Sequence, residues 1–369
     1  MRKLHFLGLA SGMKGGALKY IFTRGNAGDI QALTKYLAMR YSGEAVATKN
    51  GRSALALALK AYFKKGDKIL VNGFTCYAVV EAVEVAGCVP VYVDIEADSL
   101  NFSVKTLSRA VDGCRGIIIQ NTMGNPVDIE AVEKFAEKNK LVIIEDLAHS
   151  VGVRYKNGRE AGTVGAATVL SFGKDKSVDT VSGGAIVYRH PCKGRVKALE
   201  IHPQKSDILR ARWYPLFGKV ARGLTRMHLG GAWIRMLLKL HFVEKSADNK
   251  LDLSRGIAPY QAKLALPQLK ALEKPQGRLR DYAFVQDRRR TLAELKEAGY
   301  YFDALWYERP VSPERYYKKV DFPEESCPVA VEVARTIINM PTYYEEDELS
   351  AAWKIIRRHE VKNEAQEGR

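Results

Sequence analysis

Leu141-Val142-Ile143-Ile144-Glu145-Asp146-Leu147-Ala148-His149-Ser150 is an apolar run that ends in two acids and, three positions after the second, a histidine. Consecutive aliphatic residues without alternation read as a strand covered on both faces, as in a parallel sheet between helix layers. Working outward, similar runs predict strands at 45–48, 68–71, 89–93, 116–120, 141–145, 167–172 and 184–188. Segments of helical period lie between them at 53–64, 77–86, 104–111 and 129–138. Alternation of this kind predicts an α/β fold, with ligands gathered in the loops after the carboxyl ends of the strands.

The 369 residues suffice for one large α/β domain and a smaller one, divided here as 1–250 and 251–369. A turn signal, Asn157-Gly158, predicts a small hairpin within 155–164. Further on, 258–272 reads as a helix, 273–280 as a linker holding Pro275 and Gly277, and 281–369 as a small α+β unit ending in a helix at 345–358. The five cysteines are scattered, without CxxC pairs or metal-ligand spacing, and fit a reduced, cytoplasmic protein. The amino-terminal apolar patch is too short for a signal peptide, and no apolar run of about 18 residues follows. A soluble protein, at most lying on a membrane surface, is expected.

Three pieces, each following a predicted strand, could together make a cofactor site. At Asn50-Gly51-Arg52-Ser53 a glycine turn opens a helix whose unpaired N–H groups would bind phosphate, although strand–Gly–helix joins are common without any ligand. Asp146 at a strand end could pair with a protonated pyridine nitrogen, and His149 could lie against that ring or touch its phenolic oxygen; a plain acidic N-cap with a surface histidine is the bland alternative. Ser171-Phe172-Gly173-Lys174-Asp175-Lys176 delivers a lysine into a small-residue loop, where its amine could form an imine with an aldehyde cofactor and shuttle a proton. Ser171 could add a hydroxyl to the phosphate seat. A lone lysine is usually solvated surface charge, so the order and separation of the three pieces carry the argument.

These residues resemble the DegT/DnrJ/StrS family of PLP-dependent sugar aminotransferases, which have the aspartate-aminotransferase fold (fold type I). The resemblance runs from about 43 to 188 and resumes at 260–272 and 337–343. The family's phosphate-binding Gly-Thr-Ala-Ala-Leu matches Gly51 to Leu55; its Glu-Asp-Ala-Ala-Gln/His matches Glu145 to His149. Its Ser-Phe-x-x-Thr-Lys, with the Schiff-base lysine last, matches Ser171 to Lys176, so Lys174 falls two positions early. Tyr260-Gln261-Ala262 and Pro341-Thr342-Tyr343 resemble its later helix and terminal strand–Pro element. The resemblance implies a mixed, mostly parallel seven-stranded sheet flanked by helices, with a smaller C-terminal α+β domain. It implies pyridoxal 5′-phosphate as cofactor, no metal, a homodimer, and transfer of an amino group from glutamate or glutamine to a keto-sugar on a nucleotide diphosphate.

There are departures. Phe74-Thr75 resembles the segment that supplies the aromatic over the cofactor ring, but Cys76 stands where relatives have that aromatic, followed by Tyr77; both are cofactor-binding candidates. The usual Gly-Glu-Gly-Gly reads Val181-Ser182-Gly183-Gly184. The segment that normally lends a phosphate-binding Asn to the neighbouring subunit reads Leu253-Ser254-Arg255-Gly256, leaving Ser254 or Arg255 as candidate. Between 272 and 282 the chain is shorter than the family pattern.

The net charge of +16 is concentrated: residues 191–250 hold thirteen Lys and Arg against four Asp and Glu, or +9. Such a block points to an acidic substrate or an anionic surface, and no nucleic acid is expected. Within 208–243, Leu209, Trp213, Leu216, Phe217, Val220, Leu224 and Met227 recur at helical spacing, with Arg212, Lys219, Arg222 and Arg226 on another face. Two helices packing on a core of their own is the bland reading. An interfacial membrane anchor is the sharper one, and contact with an anionic nucleotide-sugar a third. Two rivals to the transaminase stand beside it. A PLP-dependent sugar dehydratase of the same fold would carry histidine in place of Lys176, and a binding or regulatory protein would keep the fold without turnover.

Overall fold

The computed structural model describes residues 4–6, 17–174, 176–189, 205–225, 229–243, 250–274, 281–302, 305–340 and 346–361. Seven strands form the central sheet: β1 (Glu44–Thr48), β2 (Lys68–Asn72), β3 (Val89–Val93), β4 (Cys114–Ile119), β5 (Val142–Asp146), β6 (Ala167–Ser171) and β7 (Gly184–Tyr188). They lie in the order β1-β7-β6-β5-β4-β2-β3, and only β7 runs against its neighbours. This is the mixed, mostly parallel seven-stranded sheet that the sequence predicts.

Alternation along each strand sorts the core into two layers. Ile69, Val71, Ile118, Ile144, Val169 and Ile186 face one cluster; Leu70, Ile117, Ile119, Leu170, Ala185 and Val187 face the other. Helices α2 (Gly51–Tyr62) and α3 (Tyr77–Val85) cover the first face. The second is covered by α1 (Ala27–Arg40), α4 (Ile129–Lys138) and α7 (Pro259–Ala271). Helix α2 is rich in Ala and Leu, the strongest helix formers, and is capped by Asn50, whose side chain accepts the Ser53 N–H at 2.8 Å. The predicted helix at 104–111 ends sooner, at Val104–Leu107, where a run of turns reaches Gly113 in the left-handed region. The hairpin within 155–164 is present, closed by the pairing of Arg154 with Glu160.

Two satellites complete the fold. Helices α5 (Lys205–Thr225) and α6 (Gly230–Lys239) pack through Ala211, Tyr214 and Leu237 on Tyr260 and Leu264 of α7. Nearer the C-terminus, strands Tyr282–Phe284 and Ile337–Asn339 pair antiparallel. Together with α8 (Arg288–Glu297) and α10 (Glu346–Arg358) they form a separate small core. Between those two helices, α9 (Pro328–Thr336) joins the first face of the large sheet. Pro341 to Tyr343, Met227, Cys192 and the 275–280 part of the linker lie outside the described residues.

Candidate functional site

Asn72, Asp146 and Ser171 close parallel strands side by side at their carboxyl edge, and Gln120 follows the end of β4. The two acids of the opening stretch diverge there, because successive residues of a strand point to opposite faces. Glu145 is fully buried and accepts five hydrogen bonds: from Tyr155 Oη at 2.8 Å, the N–H groups of Gly162, Val164 and Gly165 at 2.7, 2.7 and 2.8 Å, and Arg189 Nη2 at 3.2 Å. It pins the hairpin to the sheet. Asp146, also buried, accepts the Ala148 N–H at 3.0 Å. Burial pushes the Asp146 carboxyl above the ordinary range, while the Ala148 N–H and the charge of Lys176 pull it down. Lys176, thirty positions later, follows β6, the parallel neighbour of the strand that ends in Asp146.

Lys176 sits in a loop held from several sides. Gln261 donates to the Thr180 and Ser182 carbonyls at 3.1 and 3.0 Å, and Gln268 exchanges hydrogen bonds with the Asp179 backbone. Lys174 turns the other way: its buried amine lies 3.8 Å from the centroid of the Tyr214 ring on α5. The Lys176 amine lies 4.6 Å from the centroid of Trp306, and Trp306 stacks on His149 at 5.2 Å and 18°. His149 Nδ1 accepts the Met123 N–H at 3.2 Å, which assigns the neutral ring's hydrogen to Nε2. Tyr307 meets His149 edge-on and stacks on Phe74 at 4.4 Å.

The anion seat adjoins this group. A Cβ on Gly51 would stand 2.6 Å from Ser171 Cβ, so the start of α2 touches the end of β6 directly. From Gly173 a Cβ would reach Ser171 Oγ at 3.5 Å and Lys176 Cγ at 4.0 Å, which joins the seat to the lysine loop. Gly51, Ser171 and the lysine loop are thus in contact, and His149 joins Lys176 through Trp306. Ser53 Oγ accepts the Asp252 N–H at 3.0 Å.

The remaining candidates lie against other partners. Arg52 pairs with Glu81 at 2.5 Å. Thr75–Cys76 runs parallel to Val311–Ser312, and the Tyr77 ring stacks on Tyr316 at 4.4 Å and 3°. Ser254 is exposed and donates to Asp252 Oδ1 at 2.6 Å, on a segment tied to the phosphate loop through the Asn50 Nδ2 bond to the Lys250 carbonyl at 3.1 Å. Sequence reasoning missed Trp306 and Tyr307. They lie some 130 residues beyond Lys176, and their only signal is an aromatic pair in a loop.

Pyridoxal phosphate needs an anion seat, a carboxylate at its ring nitrogen and an amine at its aldehyde carbon. The residues present fit it: the Gly51–Ser171 contact, the buried Asp146 and the Lys176 loop all lie at the carboxyl ends of the neighbouring strands β5 and β6. Among the described residues no cluster of three or more His, Cys, Asp or Glu side chains could hold a metal ion.

A sequence profile of the DegT/DnrJ/EryC1/StrS aminotransferase family matches residues 30–236. The chain belongs to that family. This family member is 28% identical over 186 residues to a GDP-perosamine synthase of Escherichia coli O157:H7, covering 50% of each chain. To the GDP-perosamine synthase of Vibrio cholerae it is 31% identical over 145 residues, 39% of each. The matched region thus spans half or less of these relatives. Among solved structures it superposes on a DegT/DnrJ/EryC1/StrS aminotransferase from Brucella abortus with a TM-score of 0.65 and 21% identity, covering 92% of both chains. An E. coli GDP-4-keto-6-deoxy-D-mannose-3-dehydratase gives 0.65 and 17% identity over 94% of this chain and 98% of that one. Those likenesses establish fold type I, and both an aminotransferase and a dehydratase use it.

Proposed function

We propose that this protein is a PLP-dependent aminotransferase that passes an amino group from glutamate or glutamine to a keto-sugar carried on a nucleotide diphosphate. The reading rests on the strand ends: Asp146 and the Lys176 loop follow neighbouring parallel strands, the Lys176 amine lies over Trp306, which stacks on His149, and Gly51 touches Ser171 beside them. Family membership supports amino transfer, and the names of the two perosamine synthases support a nucleotide-linked sugar.

When bound, the cofactor supplies an electron sink for charge developing at the donor's α-carbon. The chain's residues do the rest. The first N–H groups of α2 and the Ser171 hydroxyl hold phosphate, and Ser53 supports that turn. Asp146, kept from water, binds a protonated ring nitrogen more strongly than an exposed carboxylate would. His149 offers its Nε2–H to the ring's phenolic oxygen. Lys176 Nζ takes the proton from the donor's α-carbon and returns a proton to the product side, and its neighbours Asp146 and Trp306 hold it near the reacting atoms. Arg52, Cys76 and Tyr77, held by Glu81, Ser312 and Tyr316, are given no role in this cycle, and Ser254 would face the seat of a second subunit in a homodimer. The enzyme works at the cytoplasmic face of a membrane, reached through 208–243.

The retained Lys176 argues against the dehydratase, whose relatives carry histidine there. The test against a binding protein without turnover is spectroscopic. Purified protein loaded with PLP should develop the visible band of a lysine-bound cofactor, and glutamate or glutamine should convert it to a pyridoxamine-type spectrum. If no amino donor shifts that band, the aminotransferase reading fails.

A further inference from the structure

Helices α5 and α6 already have an inner face: Ala211, Tyr214, Leu237 and Val243 pack with Tyr260 and Leu264. Yet each also carries apolar side chains outward. On α5, Leu209, Trp213 and Val220 are 63%, 40% and 37% exposed. Around α6, Leu229, Met236 and Leu240 are 49%, 42% and 55% exposed, and Phe242, just beyond it, 51%. At about 100° per residue, positions 209, 213 and 220 fall within about 40° of arc, and positions 229, 236 and 240 do the same. Each helix therefore presents one outward apolar stripe. Phe217 joins them, with its ring 6.4 Å from Trp213 and 6.2 Å from Phe242.

The charge around these stripes has one sign. Residues 205–243 contain Lys205, Arg210, Arg212, Lys219, Arg222, Arg226, Arg235 and Lys239 against Asp207 alone, +7 of the chain's +16. Lys205, Lys219, Arg235 and Lys239 are exposed. A second copy meeting this face about a two-fold would set the exposed Lys205, Lys219, Arg235 and Lys239 against cations of like sign. An anionic bilayer surface neutralises the cations and accepts Trp, Leu and Phe at the headgroup boundary. Among the described residues no helix is long and apolar enough to cross a membrane, which leaves an in-plane seat.

We infer that the α5–α6 pair is a docking surface for anionic phospholipid, with Leu209, Trp213, Leu240 and Phe242 entering the headgroup boundary and Lys219, Arg235 and Lys239 contacting phosphate groups. This deepens the membrane contact proposed above and does not rest on the transamination chemistry. The test is co-sedimentation of the full chain with vesicles of phosphatidylcholine containing phosphatidylglycerol, and with phosphatidylcholine alone, at low and physiological salt. The variants are Leu209→Ser/Trp213→Ser/Leu240→Ser/Phe242→Ser, and Lys219→Glu/Arg235→Glu/Lys239→Glu. The altered side chains are largely exposed, so both variants should keep the wild-type circular dichroism and PLP absorbance. Wild-type protein should sediment with the anionic vesicles, and either variant should bind at least about tenfold more weakly, as should wild type on neutral vesicles. Wild-type protein left in the supernatant with anionic vesicles overturns the inference. So does an apolar variant that binds vesicles unchanged but dissociates into smaller species by light scattering, which would make the face a contact between copies.

Discussion

Gly51→Ala isolates the junction on which the anion seat depends. The added Cβ would stand 2.6 Å from Ser171 Cβ, 2.9 Å from Ser171 Oγ and 3.1 Å from Ser171 Cα. Carbon pairs rest at about 3.5–4.0 Å, so α2 and β6 must part by about 1 Å. The obstacle is the base of a side chain and its backbone, which have no flexible end to swing aside. Overpacking of this kind costs about 1–3 kcal/mol. The same movement draws the first N–H groups of α2 away from the Ser171 hydroxyl; losing one hydrogen bond to a charged phosphate, about 1.5–3 kcal/mol, weakens cofactor binding by roughly 10- to 100-fold. Urea unfolding of the cofactor-free protein reads the first effect and equilibrium dialysis of PLP the second. Gly51→Ala/Ser171→Gly removes the Cβ and hydroxyl that clash, so most of the stability should return while affinity stays low. A single mutant with a wild-type urea midpoint and wild-type PLP affinity would refute the reasoning.

The other expectations concern neighbouring groups. Lys176→Ala should abolish the visible absorbance of bound cofactor, whereas Lys174→Ala should keep it while losing the cation–π contact with Tyr214, worth about 1 kcal/mol, both checked by spectra and urea midpoints. Glu145→Gln should destabilise the fold by about 3–5 kcal/mol at neutral pH, because buried Arg189 is left without its carboxylate; a midpoint equal to wild type would contradict this. Asp146→Asn should act in the opposite sense on the cofactor-free protein. With the folded carboxyl above its unfolded value, the folded state holds its proton longer, so wild-type stability declines as pH rises through that folded value. The variant should match wild type at acid pH, gain on it above the window, and bind PLP poorly, as read from urea midpoints across pH and from dialysis. Tyr77→Leu should lose about 0.5–1.5 kcal/mol of stacking on Tyr316 while Tyr77→Phe should not; a parallel fall in PLP affinity would add Tyr77 to the cofactor's neighbours.

The strands were legible because a sheet buried on both faces must be written as unbroken aliphatic runs, and each of the seven appears within two residues of its expected bounds. The helix Ala27–Arg40 escaped notice although its signals are local: Asp29 accepts the Asn26 N–H at 2.8 Å, and Leu33 and Leu37 sit one turn apart and are buried. Its exposed polar face dilutes the apolar pattern. The phosphate turn and the lysine loop could be found because each is a short run whose geometry is set by its own glycines. Trp306 and Tyr307 could not, since nothing in their own loop says that it returns to His149 and Lys176. Long-range contacts bring them there: Tyr307 packs on Phe74, across 233 positions of sequence, and the Trp306 N–H is held by Asn339 Oδ1.

The paired acids show how neighbouring residues of like charge come to separate roles. Pleating separates them: Glu145 turns to the hairpin and Arg189, Asp146 toward Lys176. Five donors fill the first one's acceptor sites, so it holds the strand end rigid and has no capacity left for a ligand. The second keeps one backbone donor, and burial makes its charge costly until a cation stands opposite. The rigid acid thus fixes the position of the reactive one. Exchanging the pair, Glu145→Asp with Asp146→Glu, preserves charge but shortens the anchor and lengthens the ring partner. It should lose both stability and cofactor affinity, whereas two interchangeable acids would tolerate the swap.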